Sequence, residues 1–251
     1  MGKVLIAMSG GVDSSVAAYL LKHSGWDCVG ATMTLYRNED IGISRSRTCC
    51  SLEDVEDARS VAFRLRIPYY VFNFSDEFRR QVMDRFADAY GQGRTPNPCI
   101  DCNRYLKFRH LYDRAALLGC DIIATGHYAR IERENGRYLL KKALDASKDQ
   151  SYVLYMLTQK QLALTQFPLG ALRKAETRQL ADSLGFFNAR KPDSQDICFV
   201  PDGDYAAFIR RHTGKADAPG DFVDESGRIL GRHKGIAHYT IGQRRGLGID
   251  L

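Results

Sequence analysis

The chain has 251 residues, of which 44% are hydrophobic and 26% are charged, and its formal net charge is +6. This length and composition predict one large folded domain, or one plus a smaller domain, with a real hydrophobic core. The excess of basic residues permits a nucleic acid partner without requiring one. No apolar run approaches the roughly 18–20 residues of a membrane span, and no signal peptide precedes the first strand. We therefore expect a cytoplasmic protein without a membrane partner.

The first part of the chain combines a short apolar strand, a glycine turn and an amphipathic helix. The strand begins at Val4, the turn holds Gly10 and Gly11, and the apolar stripe of the helix begins at Val12. Such a unit surrounds an anion with backbone N–H groups and the positive end of a helix. The glycines lack Cβ atoms, so a phosphate can approach the backbone closely. The unit is not a Walker loop, because no Gly-Lys-Ser/Thr follows.

The turn itself, Ser-Gly-Gly-Val-Asp-Ser at residues 9–14, resembles the pyrophosphate loop of the PP-loop ATP pyrophosphatases. Members of that superfamily cleave ATP between its α and β phosphates and adenylate a carbonyl-type oxygen. The resemblance implies that ATP binds at this loop.

Predicted strands and helices alternate over most of the chain. Further strands are expected at 27–36, 69–74 and 121–125, and most of 159–185 is expected to be helical. This alternation predicts an α/β fold with a doubly wound parallel sheet. The resemblance of the glycine turn implies that the sheet is of the PP-loop, adenine nucleotide α-hydrolase-like type. Ligands of such sheets bind beyond the carboxyl ends of the strands. The glycine loop, the loop after Thr34, the cysteine loop described next and Gly126-His127 should therefore border one crevice.

Two features fall outside this alternation. Asn135-Gly136 between alternating runs predicts a two-residue hairpin. Short strands and glycines from Asp221 onward predict a small β-rich C-terminal part. We therefore expect an ATP-binding catalytic domain at 1–205 and a small second domain at 206–251.

Seven cysteines in a chain without a secretory signal argue against a disulfide framework and favour reactive or metal-binding thiols. Cys99 and Cys102 form a Cys-Ile-Asp-Cys motif at the start of a predicted helix, whose dipole is expected to lower the thiol pKa. A nucleophile and a metal ligand would benefit equally. Cys198 lies where a polar stretch meets an apolar one. Cys28 and Cys120 are expected in the core, and the adjacent pair at 49–50 on the solvent side.

Several motifs together identify a closer resemblance. The chain carries Ser-Gly-Gly-Val-Asp-Ser, Thr-Pro-Asn-Pro-x-x-x-Cys-Asn, Ala-Thr-Gly-His-Tyr-Ala, Lys-Asp-Gln-Ser-Tyr, Asp-Ser-Gln-Asp-Ile-Cys-Phe and Tyr-Thr-Ile-Gly-Gln-Arg-Arg-Gly-Leu-Gly. In this order, from residue 9 to residue 248, they resemble the bacterial tRNA-specific 2-thiouridylases, the MnmA/TrmU family. The resemblance implies ATP-dependent 2-thiolation of the wobble uridine of tRNA for Lys, Glu and Gln.

The family's motifs assign roles to individual positions. Cys102 matches the catalytic nucleophile, and Cys198 matches the cysteine that carries sulfur as a persulfide. The positions implied to bind ATP are Ala7, Met8, Ser9, Gly10, Gly11, Val12, Asp13, Ser14, Met33 and Gly126. The positions implied to face the target base or touch tRNA are Asn97, Pro98, Cys99, His127, Lys148, Asp149 and Gln150. Mg²⁺ would screen the phosphates, with Asp13 as a candidate contributor.

The sulfur chemistry has two versions. In the first, a sulfur-relay donor loads Cys198 with a persulfide, and Cys102 attacks it or forms a disulfide with Cys198. In the second, Cys99, Cys102 and Cys198 hold a [4Fe-4S] cluster whose open iron binds hydrosulfide. The second version arises because many family members carry Asp where this chain has Cys99.

Alternatives of other classes remain. A synthetase of the same fold could adenylate a small molecule and would need no thiols. A catalytically idle RNA-binding module would not need the intact glycine loop. The family usually continues into a C-terminal β-barrel beyond the position of Leu251, so we expect that barrel to be absent or truncated here.

Overall fold

The computed structural model describes residues 2–41, 52–193 and 197–249. The expectation for the cysteines at 49–50 lies outside these described residues, as does the part of the Cys198 motif at 194–196. None of the helices in the described ranges is both long and apolar enough to cross a membrane.

A five-stranded parallel sheet forms the centre of the fold, with strand order β3-β2-β1-β4-β7. Its strands are β1 (Lys3–Ala7), β2 (Asp27–Thr34), β3 (Tyr69–Asn73), β4 (Ile122–Thr125) and β7 (Thr165–Gln166). Two antiparallel hairpins accompany it, formed by β5 (Ala129–Glu134) with β6 (Arg137–Lys142), and by β8 (Gly220–Val223) with β9 (Ile229–His233). The predicted α/β class with a small β-rich C-terminal part is confirmed.

Helices connect the strands. The α-helices are α1 (Val12–His23), α2 (Leu52–Arg64), α3 (Ser75–Phe78), α4 (Asp84–Gly91), α5 (Pro98–Asp101), α6 (Leu111–Leu117), α7 (Gln159–Ala163), α8 (Lys174–Ser183) and α9 (Tyr205–Thr213). Segments Arg79–Met83 and Cys102–His110 are π-helical and continue α3 into α4 and α5 into α6. Short 3₁₀ turns lie at Asn38–Ile41, Ser151–Val153 and Ile236–His238.

The central strand β1 explains why the sheet is covered on both faces. Successive side chains of a strand point to opposite faces, and in a parallel sheet both faces are buried. Val4 and Ile6 pack into the core cluster that contains the apolar stripe of α1, whereas Leu5 packs into the cluster on the other side. All three side chains are fully buried. A continuous apolar strand is therefore what this central position requires.

The structure departs from the expected elements at 159–185. Within this stretch, Thr165 and Gln166 form β7, which pairs with β4 at the edge of the sheet. Two residues carry no periodicity, so the strand is set by its tertiary neighbour rather than by local pattern. The hairpin prediction is confirmed, because Asn135 and Gly136 both have positive φ, at 48° and 78°, as a type I′ turn needs.

An aromatic cluster joins α9 to the sheet's helical layer. Phe86 of α4 is 1% exposed, and its ring lies 5.4 Å from Phe199 and 6.0 Å from Phe208, both edge-on. His212, at the end of α9, lies 2.6 Å from the carboxylate of Asp84. Edge-to-face aromatic pairs add stabilisation beyond the area that they bury. Phe199 directly follows Cys198, so this cluster anchors the chain on one side of that thiol.

Replacing Phe86 by Ala should lower the free energy of unfolding by about 3–5 kcal/mol, because the change opens a cavity beside the rings of Phe199 and Phe208. Urea unfolding followed by circular dichroism measures this loss. Phe63 of α2, which is 84% exposed, provides the matched control. Phe63→Ala should change the value by no more than about 0.5 kcal/mol. Equal losses in the two variants would contradict the assignment of the core.

Candidate active site

The glycine loop lies at the carboxyl end of β1. In the sheet, β2 and β3 lie on one side of β1, and β4 and β7 lie on the other side. Gly10 has φ +74°, in the left-handed region, and a Cβ there would collide with the backbone of Asp54 in α2. Gly11 is the N-cap residue of α1, and because it has no side chain it leaves the N–H groups of the first helical turn without a side-chain acceptor from the cap. The N–H groups of that turn, together with the helix dipole, therefore face the loop as donors for an anion.

Gly126 follows β4 and packs against the same loop. A Cβ at this position would lie 2.8 Å from the backbone nitrogen of Ser14 and 2.9 Å from the carbonyl carbon of Asp13. No real Cβ tolerates such distances, so only glycine permits β4 to end this close to α1. Met33 lies near the carboxyl end of β2 and is half-buried. The predicted ATP residues on β1, β2 and β4 thus meet at one edge of the sheet.

The residues predicted to bind ATP differ in how far their side chains are exposed to solvent. Met8 and Val12 are 2% and 3% exposed, so their side chains belong to the core and only their backbone can face a nucleotide. The Ser14 hydroxyl donates to the carbonyl of Gly11 at 3.0 Å and accepts from the N–H of Ser9 at 3.1 Å. These bonds fix the turn internally. Ser9 itself is exposed at the mouth.

The cysteine motif starts a helix as predicted, but the effect on Cys102 is opposite to the expectation. Asn97 caps α5 by accepting from the N–H of Cys99 at 3.0 Å, and Pro98 occupies the first turn. Cys102 follows α5 and packs against the core. Burial raises the pKa of its thiol to about 11, and the Lys107 ammonium offsets only part of this. Desolvation outweighs the helix dipole, so the prediction of a lowered pKa for Cys102 was wrong.

The three thiols differ in exposure. Cys99 is exposed, whereas Cys102 and Cys198 are partly buried. In the described ranges, no three His, Cys, Asp or Glu side chains are grouped as they would need to be to hold a metal ion. As placed here, the thiols do not fit an iron–sulfur cluster.

The residues expected at the tRNA side make mostly internal contacts. His127 is 8% exposed, its Nδ1 lies 2.6 Å from Thr125 Oγ1, and its ring packs against Phe108 and Phe167. Burial holds the pKa of His127 well below its usual range, so the ring is neutral at physiological pH. Contact of His127 with tRNA remains a prediction.

Residues of the Lys148-Asp149-Gln150 motif form hydrogen bonds that stabilise the loop after β6. Asp149 accepts hydrogen bonds from the N–H of Ala143 at 2.9 Å and from the Ser151 hydroxyl at 2.7 Å. Burial acts to raise the pKa of Asp149, but these bonds outweigh it and hold the pKa below its usual value. Gln150 exchanges two hydrogen bonds with the backbone of Tyr128. A role of the motif at tRNA also remains a prediction.

Sequence reasoning missed an ion network beside the loop. Lys174, at the start of α8, lies 2.7 Å from both carboxylate oxygens of Asp13 and 2.7 Å from Asp193. Asp193 also accepts from Lys148 at 2.8 Å and from Arg178 at 2.7 Å. Burial raises the pKa of Asp193, but the bonds from Lys148 and Lys174 outweigh it and leave the pKa at about 2. No local pattern marks Lys174, since its partners come from distant parts of the chain.

Hydrogen bonds and ion pairs also connect residues 188–191 to the glycine loop and to α2. Asn188 is buried and donates to the carbonyl of Gly10 and to the Ser15 hydroxyl, each at 2.9 Å. Lys191 lies 2.6 Å from Asp54 and 2.6 Å from Asp57 of α2. The segment that leads to Cys198 is therefore fastened directly to the nucleotide loop and its neighbours.

Comparisons with known proteins identify the family. A family model described as "tRNA methyl transferase HUP domain" matches residues 2–202, and one described as "tRNA methyl transferase PRC-barrel domain" matches 206–251. A protein of Lachnoclostridium phytofermentans named tRNA-specific 2-thiouridylase MnmA is 56% identical over 253 residues, covering 100% of this chain and 71% of the relative. The protein of that name in Clostridioides difficile is 54% identical, covering 99% of this chain and 69% of the relative.

The chain belongs to the MnmA family of tRNA-specific 2-thiouridylases. The family resemblance and the enzyme class expected from the motifs are confirmed. A solved structure titled as a 4-thiouridine synthetase–RNA complex with bound ATP has a TM-score of 0.54 and 21% identity, covering 80% of this chain and 45% of its own. At that identity, the likeness supports the shared fold alone.

Gly126→Ala should weaken ATP binding at least about tenfold, equivalent to about 1.4 kcal/mol, because the added methyl group displaces the first turn of α1. Titration calorimetry with Mg²⁺ present measures the affinity. Gly91→Ala is the matched control, since nothing lies within 4 Å of a Cβ at the end of α4. An unchanged affinity in Gly126→Ala would contradict the placement of the nucleotide.

The low pKa of Asp193 predicts a pH-dependent contribution to stability. The folded value of about 2 lies below the ordinary value of 3.8, so this stabilisation is present above pH 4 and is lost as the pH falls toward 2. The stability difference between the wild type and Asp193→Asn should shrink by about 1 kcal/mol from pH 7 to pH 3. Urea unfolding at both pH values tests this. Asp88→Asn, at an exposed position, provides the control. If the stability difference between the wild type and Asp88→Asn shrinks by the same amount from pH 7 to pH 3, the Asp193 network is not the cause.

Proposed function

We propose that the chain catalyses ATP-dependent 2-thiolation of the wobble uridine of tRNA, using the glycine loop for ATP and Cys102 and Cys198 for sulfur transfer. One observation carries this proposal. The chain is 56% identical to a named thiouridylase, and it has both the closely packed glycine loop and the two thiols, Cys102 and Cys198. Membership of the family supports ATP and Mg²⁺ as cofactors and tRNA as the substrate.

The first step activates the base. The C2 oxygen of uracil is a poor leaving group, so it attacks the α-phosphorus of ATP, and the bond between the α and β phosphates breaks. Pyrophosphate is released at residues 9–14, where the N–H groups of the first turn of α1 compensate its charge. When bound, Mg²⁺ would screen the phosphate charges. Asp13 is the candidate carboxylate on the loop, although its two oxygens are engaged by Lys174 in this conformation.

The second step replaces oxygen by sulfur. A persulfide on Cys198, supplied by a sulfur-relay donor, attacks C2 with its terminal sulfur, and AMP leaves with the former C2 oxygen. The Cys102 thiolate then attacks Cys198 Sγ, which breaks the S–S bond, leaves sulfur on C2 and forms a Cys102–Cys198 disulfide. Alternatively, Cys102 attacks first and releases hydrosulfide, which displaces AMP. In both orders a thiol reductant restores the two cysteines.

The state of Cys102 constrains this step. With a pKa near 11, the residue is a neutral thiol at physiological pH, so it must lose a proton before it attacks. Lys107 is the nearby cation that favours the thiolate.

The cluster version remains a separate hypothesis in which Cys99, Cys102 and Cys198 would hold [4Fe-4S] for hydrosulfide. We derive no step through it, because the thiols are not gathered as ligands. Anaerobic reconstitution with iron and sulfide, followed by metal and acid-labile sulfide analysis, tests it: stoichiometric retention would favour the cluster, and its absence the persulfide.

The remaining assignments are proposals of the same kind. We propose Asn97, Pro98 and Cys99 opposite the target base, with His127 and Lys148-Asp149-Gln150 at the tRNA side. We also propose a catalytic domain at 1–205 and a small second domain at 206–251, a division that the extents of the two family models support. Since ATP and tRNA are available there, the cytoplasm is the proposed location.

Cys102→Ser and Cys198→Ser should each lower the turnover number for thiolation of unmodified tRNA at least about a hundredfold, because serine cannot carry or cleave a persulfide. Thiouridine formed from ATP and a persulfide donor is measured by mass spectrometry of digested tRNA.

The buried Cys120 offers a matched control, with Cys120→Ser expected to retain activity within about twofold. Full activity in both site variants would refute the thiol mechanism. Adenylation of a small molecule without tRNA would instead favour a synthetase, and tRNA binding without turnover would favour an RNA-binding module.

A further inference from the structure

A buried asparagine outside the sequence motifs contacts the backbone of the glycine loop. Asn188 is 2% exposed, and its Nδ2 donates to the carbonyl of Gly10 and to the Ser15 hydroxyl, each at 2.9 Å. A carbonyl oxygen can only accept a hydrogen bond, so the amide must present its nitrogen to Gly10. Asn188 and Gly10 are 178 residues apart, and tertiary packing alone brings them together.

The Ser15 hydroxyl extends this contact to the second glycine. Ser15 is fully buried, and its hydroxyl donates to the carbonyl of Gly11 at 3.0 Å. Because a hydroxyl has one proton, the Ser15 oxygen accepts from Asn188 while its proton goes to Gly11. The amide therefore holds the carbonyl of Gly10 directly and that of Gly11 through Ser15. Both glycine carbonyls thus face buried donors.

The orientation of the Gly10 carbonyl decides where the next N–H group points. The described chain has no cis peptide bond, and in a trans peptide the carbonyl and the N–H point in opposite directions. With the Gly10 carbonyl directed at the buried amide of Asn188, the N–H of Gly11 points away from it. Gly11 is partly exposed, so this N–H lies on the side of the loop that an anion can reach.

The peptide that joins Met8 to Ser9 has the same arrangement, but its N–H group already has a partner. The buried Thr32 hydroxyl donates to the carbonyl of Met8 at 2.6 Å, and the N–H of Ser9 donates to the Ser14 hydroxyl at 3.1 Å. In the part of the chain that the structure describes, no acceptor is hydrogen-bonded to the N–H of Gly11. That donor is therefore available to a phosphate oxygen.

We propose that Asn188 is a positioning residue for the nucleotide: it holds the Gly10 carbonyl away from the bound phosphates and thereby directs the N–H of Gly11 at them. The proposal rests on the proposed function insofar as the loop binds the β and γ phosphates of ATP. It assigns Asn188 no contact with ATP. Because both residues are glycines, the peptide between them rotates with little steric hindrance. Without the amide, this peptide can turn its carbonyl oxygen toward the phosphates, which repels them.

The first test compares the affinities for ATP and AMP by titration calorimetry with Mg²⁺ present. Asn188→Leu removes the donors in a similar volume and should weaken ATP binding at least about tenfold, because a hydrogen bond to a charged phosphate is lost. AMP lacks the β and γ phosphates, so its affinity should stay within about twofold, as expected for contacts away from the altered peptide. Asn188→Asp, which places a carboxylate oxygen where the donor was, should weaken ATP binding at least as much and serves if Asn188→Leu folds poorly.

Phe86→Ala is the control for a general loss of stability. It opens a cavity in the aromatic cluster, away from the glycine loop, and should leave the ratio of the ATP and AMP affinities unchanged. A merely structural role of Asn188 predicts that Asn188→Leu weakens ATP and AMP equally.

A second measurement tests the wild type without any substitution. Gly10-Gly11 is the one Gly-Gly pair in the sequence. Protein made by cell-free synthesis with glycine that carries ¹³C at its carbonyl and ¹⁵N at its nitrogen therefore gives a single NMR peak for an amide that follows a labelled carbonyl. That amide is the N–H of Gly11. ATP with Mg²⁺ should move its proton signal downfield, as a hydrogen bond to phosphate does, and the shift should be smaller in Asn188→Leu.

The outcomes separate this proposal from the proposed function. A wild-type Gly11 signal that does not move although ATP binds overturns the positioning role. Equal weakening of ATP and AMP in the Asn188 variants overturns it too, as do unchanged affinities for both. Failure of the wild type to bind ATP contradicts the proposed function itself.

Discussion

The charge compensation around Lys174 is the interaction on which the arrangement of the site depends. Two carboxylates, Asp13 and Asp193, are held together by Lys174, Lys148 and Arg178, and of these five side chains Lys174 is the most buried, at 10% exposed. Removing Lys174, the most buried member, would take a cation from both carboxylates at once, which costs more than the loss of a single exposed ion pair. The network therefore links the helix that follows the glycine loop to the chain segment that ends at Asp193.

The rest of the fold supplies the rigid frame for these charges. The sheet buries β1 on both faces, so the loop that follows it starts from a fixed point. Glycine at 10 and 126 allows α2 and β4 to approach that loop more closely than any other residue permits. The aromatic cluster at Phe86 and Phe199 secures the chain on the far side of Cys198. The glycine loop and Cys198 thus rest on different parts of the core.

The sequence was informative wherever local pattern determines structure. The apolar run of β1, the glycine turn and Asn135-Gly136 each carry their own geometric requirement, and all three appear as expected. The two-residue strand β7 has no period of its own, and the π-helical segment Cys102–His110 looks like ordinary helix in sequence. Both depend on tertiary packing, which local pattern does not encode.

The site was less predictable for the same reason. The thiol of Cys102 was expected to be acidified by a helix start, yet burial dominates and the pKa rises. Lys174 and Asp13 are 161 residues apart, and a single sequence contains no signal for such a pair. The motifs predict the reacting groups, whereas the ion pairs beside the glycine loop became visible only in the fold.

The most direct test of the central claim, that ATP activates the uracil oxygen for replacement by sulfur, is the stoichiometry of products. Thiolation of unmodified tRNA with labelled ATP should release one AMP and one pyrophosphate for each 2-thiouridine formed, and neither without tRNA. Release of ADP and inorganic phosphate, or thiouridine formation without ATP cleavage, would contradict the account.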